Sequence, residues 1–402
     1  MDGARTRGQT AALAAVATMV RGPAPQAVLL VGPEGVGKTT LAMDLAAGLL
    51  CTAPIDERPC RRCRACRLVD TGNHPDLHRL VPAGPARQVV IGGPDAKFRG
   101  VRELVAELPL MAVEGGARVA IIEGADRMNE DAQNALLKML EEPPEGVTIV
   151  LCADQEARLL PTVRSRCFRV RLGLVGARDI EAILGDHGLA DPPTAARLGR
   201  LAGGRPGIAL AYARAPAAVP IHAELVRVLL DLTDARPSGR LAAARLAIPR
   251  AIALSAALGA ADTPTPARSP RRRGAAQAAT PAPASARPEP TGDDDPDPLA
   301  GEEAGPARKS PAERRRAVEL ILGLWAGVAR DLVLVGTGGA RSVQGGELLE
   351  ELTAVSGSIA PGSAAIFLGR VARSAELVAG NVSPELVLDS LALAWPRRAA
   401  AA

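Results

Sequence analysis

The sequence predicts an α/β phosphate-loop domain on a parallel sheet, with an inserted zinc module, a small helical unit after it and an all-α C-terminal domain. Three observations predict this. An apolar run, Val28-Leu29-Leu30-Val31, leads straight into a glycine-rich loop and then a helix with Leu41, Leu45 and Leu49 on one stripe. Further short strand-like runs, Leu77 to Val81, Arg118 to Asp126 and Thr148 to Ala153, are separated by helical patterns, as in an α/β sheet. From His222 onward the patterns are helical only.

The loop Gly32-Pro33-Glu34-Gly35-Val36-Gly37-Lys38-Thr39-Thr40 has the full spacing of a phosphate loop, in the order strand, loop, helix. Its glycines let backbone N–H groups turn inward on an anion, and the helix that follows adds the positive end of its dipole. Lys38 is placed to neutralise the outer phosphates and Thr39 to hold a magnesium ion through its hydroxyl. The expected nucleotide contacts are Gly32, Pro33, Gly35, Val36, Gly37, Lys38, Thr39 and Thr40, and the expected ligand is ATP or ADP with magnesium.

The 402 residues suggest two or three domains. Apolar residues are 47% of the chain but aromatic ones only 1%, so the cores are aliphatic, and binding of single strands by stacked aromatics is disfavoured. A net charge of +4 requires any basic face to be local. Neither a charged leader nor an uninterrupted run of eighteen or more apolar residues is evident, so the expectation is a soluble, cytoplasmic chain without membrane contact.

Four of the six cysteines, Cys51, Cys60, Cys63 and Cys66, are separated by eight, two and two residues. Two overlapping C-x-x-C steps can aim three thiolates at one point, and the upstream cysteine completes a tetrahedral set suited to structural zinc. Reduced structural cysteines, a redox dithiol and an iron–sulfur cluster are the alternatives. His74 is an alternative ligand, and Arg58, Arg61, Arg62, Arg64 and Arg67 crowd the module.

Taken in order, helices are expected at Gln9 to Val20, Lys38 to Leu50, Phe98 to Leu108 and Asn129 to Glu142, the last stopped by Pro143-Pro144. The strand read over Arg118 to Asp126 ends in acidic residues, and within that end Glu123 and then Gly124 stand where phosphate-loop ATPases carry the acid serving magnesium and the carboxylate that orients water. Cys152 reads as core, and Leu159 to Cys167 as a polar loop holding Arg164 and Arg166. Two short helices, Arg178 to Gly188 and Thr194 to Leu201, precede Gly203 to Leu210. Helical patterns span His222 to Leu258, resume at Ala312, and return at Ala364 to Ala379 and Pro384 to Trp395. Between them, residues 262–311 are rich in Pro, Ala and charge and lack aromatics, the composition of a disordered insert.

The stretches Ile121 to Asn129, Gln133 to Pro144 and Ser165-Arg166-Cys167 resemble bacterial DNA polymerase III clamp-loader subunits of the AAA+ family. With the cysteine module, the resemblance covers residues 1–215 well and the rest by pattern. It implies an AAA+ domain over 1–172 with a zinc module at 51–66, a helical lid over 173–217, and a helical collar over 218–261 and 312–396, interrupted by the insert. It implies that Arg166 acts in trans on the ATP of a neighbouring subunit, a task suited to a permanently charged, planar donor. The implied partners are the gamma/tau and delta subunits in a hetero-oligomeric ring, the sliding clamp, and primer-template DNA through the assembly.

Within that family the motor subunit carries a sensor arginine on the lid, and here Gly207 holds its place, with Arg205 two residues away. Gly124 and Gly207 together lead us to expect a nucleotide-holding stator with little or no hydrolysis of its own. The alternative is the gamma/tau motor, and a third class is a stand-alone zinc- and nucleic-acid-binding NTPase.

Overall fold

A computed structural model of the chain describes residues 1, 3–84, 87–93, 97–114, 116–262, 310–379 and 382–399. Five strands form one parallel sheet: β1 (Ala27–Val31), β2 (Leu77–Leu80), β3 (Arg118–Ile122), β4 (Val147–Ala153) and β5 (Phe168–Arg171), in the spatial order β2-β3-β4-β1-β5. Strands β3 and β4 are buried along their whole length, which is why they read as continuous apolar runs rather than alternating ones. The chain leaves β1 for the far edge, returns through β3 and β4, and then crosses to β5. Crevices that take ligands form at such reversals, outside the carboxyl ends of the strands.

The helices of this domain are α1 (Thr10–Arg21), α2 (Lys38–Leu50), α3 (Arg64–Asp70), α4 (Val101–Glu107), α5 (Glu130–Glu141) and α6 (Pro161–Ser165). One apolar layer joins α1 and α2 to one face of the sheet through Val16, Val28, Leu30, Leu41 and Leu45, and another joins α4 and α5 to the other face through Leu29, Leu104, Ile122, Leu136 and Leu151. Asn129 caps α5, its side chain accepting the Ala132 amide at 3.0 Å.

A second core is wholly helical: α7 (Ala177–Asp186), α8 (Pro192–Leu201), α9 (Pro206–Arg214), α10 (Ala218–Asp231), α11 (Pro237–Asp262), α12 (Pro311–Gly336), α13 (Leu349–Ser358), α14 (Ser363–Ala379) and α15 (Pro384–Ala394). Trp325, Phe367 and Trp395 cluster at its centre, with Phe367 and Trp395 edge to face at 4.7 Å between ring centroids. The fully buried Arg240 donates to the Trp395 carbonyl at 2.6 Å and to the Ala235 carbonyl at 3.1 Å. Segment Pro237–Gly259 of α11 is long and apolar enough to cross a membrane by length and composition; Arg240, Arg245 and Arg250 interrupt it, and α11 packs against α10, α12 and α15.

Several expectations change. The helix expected over Phe98 to Leu108 is shortened to Val101–Glu107, because Glu103 turns back onto the amides of Gly100 (2.9 Å) and Gly93 (2.6 Å) and fixes its start. The loop expected over Leu159 to Cys167 contains the short helix α6, begun by Pro161, and β5 follows it. Helix α13 lies in a stretch that carried no expectation. Of the insert 262–311, positions 263–309 lie outside the described residues. Asp262 ends α11, and Pro311 begins α12 behind a Ser310 cap whose hydroxyl accepts the Glu313 amide at 3.2 Å.

Candidate nucleotide site and metal centre

The loop between β1 and α2 turns through Gly35 (φ 80°) and Gly37 (φ 102°), backbone conformations that an L side chain strains to adopt. Gly37 begins α2 with no side chain capping it, so the first-turn amides of α2 remain available to an anion. Gly32 runs so close to β5 that an added Cβ would lie 2.4 Å from the Leu172 carbonyl. Lys38 folds over the loop, donating to the carbonyls of Gly32 (2.7 Å) and Pro33 (2.8 Å) and pairing with Asp154 at 2.6 Å. Thr39 donates to Glu123 Oε2 at 3.2 Å, and Thr40 lies exposed one position on. Loop residues Gly32, Pro33, Gly35, Val36, Gly37, Lys38, Thr39 and Thr40 thus form one continuous cradle, and its fixed N–H array fits a polyphosphate.

A magnesium ion fits less well. Its expected holders are Thr39 and Glu123, and Glu123 is already engaged on both oxygens: by Thr39 on one and by Arg79 Nη2, 2.5 Å away, on the other. Behind them Asp126 accepts the amides of Asp154 (3.1 Å) and Gln155 (3.3 Å), which sets the turn after β4 and so the partner of Lys38. Gly124 sits at φ 59°, and a Cβ there would meet Pro82 at 2.9 Å. Position 124 carries no carboxylate, and a side chain there would crowd the Pro82 ring.

Helix α9 closes on the cradle from the lid side. The Gly207 amide donates to the Gly35 carbonyl at 2.8 Å, and a Cβ on Gly207 would lie 3.1 Å from Gly35 Cα. Arg205 donates to the Ala202 carbonyl at 3.1 Å and lines the same cleft. This cleft, about 1940 Å³, runs from Gly32–Gly35 past Asp126, Arg127 and Asp154 to the collar side, where Glu319 of α12 enters it. Burial raises the pKa of Glu319 against the pull of Arg127 and Arg158. The space exceeds what one small ligand fills, roughly 300–1,000 Å³.

The four cysteines converge: the sulfurs of Cys51, Cys60, Cys63 and Cys66 all lie within 4.8 Å of one another. Cys51 Sγ is 3.6 Å from that of Cys60 and 3.9 Å from that of Cys63. A zinc–sulfur bond of about 2.3 Å places tetrahedral sulfurs about 3.8 Å apart, so the set fits zinc. The amide of Cys63 points at Cys60 Sγ and that of Cys66 at Cys63 Sγ, each at 3.4 Å. Burial opposes ionisation of Cys63, but the amides of Cys66 and Thr52 outweigh it and hold its pKa down at about 6. The buried Cys66 is pushed up by desolvation. His74 is not part of this set: its Nδ1 accepts the Asp76 amide at 3.1 Å and its Nε2 lies 3.6 Å from Glu114, so the alternative-ligand expectation is set aside.

Asp44, two turns into α2 and fully buried, escaped the sequence reading. It accepts the Thr6 amide (2.9 Å), the Thr6 hydroxyl (2.7 Å) and the Arg5 amide (3.0 Å), and it pairs with Arg61 of the cysteine module. Arg61 in turn holds Asp70 at 2.5 Å and the Gly3 carbonyl at 2.8 Å. Because Cys51 directly follows α2, the module is fastened to the phosphate-loop helix at two points.

Arg166 lies apart from the cradle, at the end of α6. Its guanidinium pairs with Glu141 at 2.6 Å and donates to the Thr162 carbonyl at 2.9 Å, with the Arg166 side chain 35% and that of Glu141 48% exposed. It presents a charge on the surface and makes no contact with Lys38 or Thr39.

A parallel sheet in this strand order, a phosphate loop after β1 and a helical lid resting on the loop define an α/β phosphate-loop domain of the AAA+ type joined to a helical bundle. Residues 9–175 match the family model described as DNA polymerase III, delta subunit. The chain is 41% identical over 151 residues to the DNA polymerase III subunit delta' of Pseudomonas aeruginosa, covering 38% of this chain and 44% of that protein. It is 38% identical over 152 residues to the subunit delta' of Escherichia coli, covering 38% and 43%. The tau subunit of Escherichia coli is 32% identical over 196 residues, covering 48% of this chain and 29% of tau. The likeness thus spans less than half the length of each of these relatives, and the resemblance read from the sequence holds in the nucleotide-binding half.

Proposed function

We propose that this chain is the delta-prime stator subunit of a bacterial DNA polymerase III clamp loader. In this reading it holds nucleotide statically, offers Arg166 to the ATP of an adjacent motor subunit, and supports ATP-dependent loading of the sliding clamp on primed DNA. Its partners are the gamma/tau and delta subunits of the ring, the clamp, and primer-template DNA through the assembly, in the cytoplasm and away from the membrane. The AAA+ domain spans 1–172, the lid 173–217 and the collar 218–261 and 312–396. Zinc held by Cys51, Cys60, Cys63 and Cys66 supplies a closed structural cross-link with no position open for chemistry.

One observation carries the reading: the cradle is whole while the hydrolytic positions are filled by glycines in crowded places, where a Cβ on Gly124 would lie 2.9 Å from Pro82 and one on Gly207 3.1 Å from Gly35. Arg166 suits a role in trans because its present partner is cheap to leave: an exposed ion pair contributes only about 0–1 kcal/mol. The match to tau favours the gamma/tau motor as a second reading, and the same two glycines count against it.

The test is a loader reconstituted with Arg166→Ala. We expect the variant to fold and assemble while ATP turnover by the loader falls several-fold; unchanged turnover removes the assignment of Arg166.

A further inference from the structure

The acids at the ends of β3 and β4 each hold a cation from within the chain. Asp154 holds Lys38 at 2.6 Å and Arg127 at 3.4 Å, and Glu123 holds Arg79 at 2.5 Å while accepting the Thr39 hydroxyl at 3.2 Å. Both carboxylates beneath the phosphate loop are thus already met by cations of the chain itself. About a third of the Arg79 side chain is exposed, but its base is held in place. It projects from β2, in register with Ile121 of β3, its Nη1 lies where a Cβ on Gly72 would come within 3.3 Å, and its Nε is buried without a partner. A divalent ion serving this site would need the Glu123 carboxylate and would stand beside a fixed like charge, which repels it strongly in so confined a place. A guanidinium keeps its charge at any working pH, and its five donors are enough to serve a carboxylate and a phosphate oxygen at once.

We propose that Arg79 is the built-in counter-cation of the nucleotide site, so that this chain takes a nucleoside di- or triphosphate without a divalent ion. The inference rests on the nucleotide-cradle part of the proposed function and is independent of the part played by Arg166. It gives the site a specific chemistry: the metal that hydrolysis requires is replaced by a residue that cannot carry water to the γ-phosphate, and nucleotide becomes a fixed structural ligand.

The test is binding of ADP and ATP to the full chain by calorimetry, in excess magnesium chloride and in excess EDTA. We expect dissociation constants that agree within about threefold in the two buffers, and for Arg79→Gln a loss of about tenfold or more in EDTA that magnesium restores. Arg79→Lys, which keeps the charge, should stay within about threefold of wild type in EDTA, and it serves where Arg79→Gln does not fold. Wild-type binding abolished by EDTA, equal behaviour of Arg79→Gln and wild type, or no binding in either buffer would each overturn the proposal. None of those results alters the effect of Arg166→Ala on the loader, so failure here is distinguishable from failure of the stator reading.

Discussion

The backbone amide of Gly207 donates to the carbonyl of Gly35 across 2.8 Å, so the first turn of the lid helix is bonded directly to the phosphate loop. The two glycines face each other with no intervening side chain, so the start of α9 meets the loop backbone to backbone. We expect Gly207→Val to force the lid away, since its Cβ would lie 3.1 Å from Gly35 Cα and 3.2 Å from Gly35 O. The cost should be about 1–3 kcal/mol, as for other overpacked contacts. Thermal unfolding should report it, together with faster amide exchange at Gly207; an unchanged melting temperature would show that the lid is not seated there.

Cys63 is both a thiolate of the metal set and the N-cap of α3, where it accepts the Cys66 amide. Elemental analysis should find one zinc per chain, lost in Cys63→Ser together with a marked drop in melting temperature. Zinc-free protein of normal stability would refute the metal assignment.

Asp44→Ala should destabilise by about 3 kcal/mol, because it leaves the partly buried Arg61 guanidinium with Asp70 alone and two N-terminal amides short of their acceptor. Denaturant unfolding measures this. A change within about 0.5 kcal/mol, as for an ordinary surface site, would mean that the link between the cysteine module and α2 is not structural.

His222, edge-on to Tyr212 at 5.8 Å, has its pKa pushed down to about 4 by burial, against the opposite pull of Glu347. The unfolded chain therefore binds this proton more readily than the folded one, with an ordinary histidine pKa near 6.5. Stability should fall as pH drops from about 6.5 towards 4, by an amount on the order of 3 kcal/mol for this group. Comparing wild type with His222→Gln isolates it: the variant should lose less stability over that window, and parallel curves would contradict the assignment.

The elements that positioned the site were legible where chemistry imposes a local pattern. Lys38–Leu50 fell where the apolar periodicity and the phosphate-loop spacing put it, and the cysteine spacing foretold the cluster, whereas the strand expected to run on to Asp126 stops at Ile122 because Gly124 turns the chain at φ 59°. What stayed hidden depends on contacts far apart in sequence. Nothing local in Leu77 to Leu80 marks Arg79 as the partner of Glu123, 44 positions on, because only the β2–β3 register brings them together. Asp44 looks like one polar residue on a helix until Thr6 and Arg61 arrive from either side. Strand β5 was missed because at the sheet edge only Val170 is buried, which leaves a run too polar to read as core.

The account stands on a cradle that holds nucleotide without cutting it. Gly124→Glu should not create activity, since φ there is 59° and Pro82 blocks the side chain. The most direct measurement is ATP hydrolysis by the purified chain alone: we predict none above background, whereas turnover of about one per second or faster, the ordinary enzymatic range, would contradict the account.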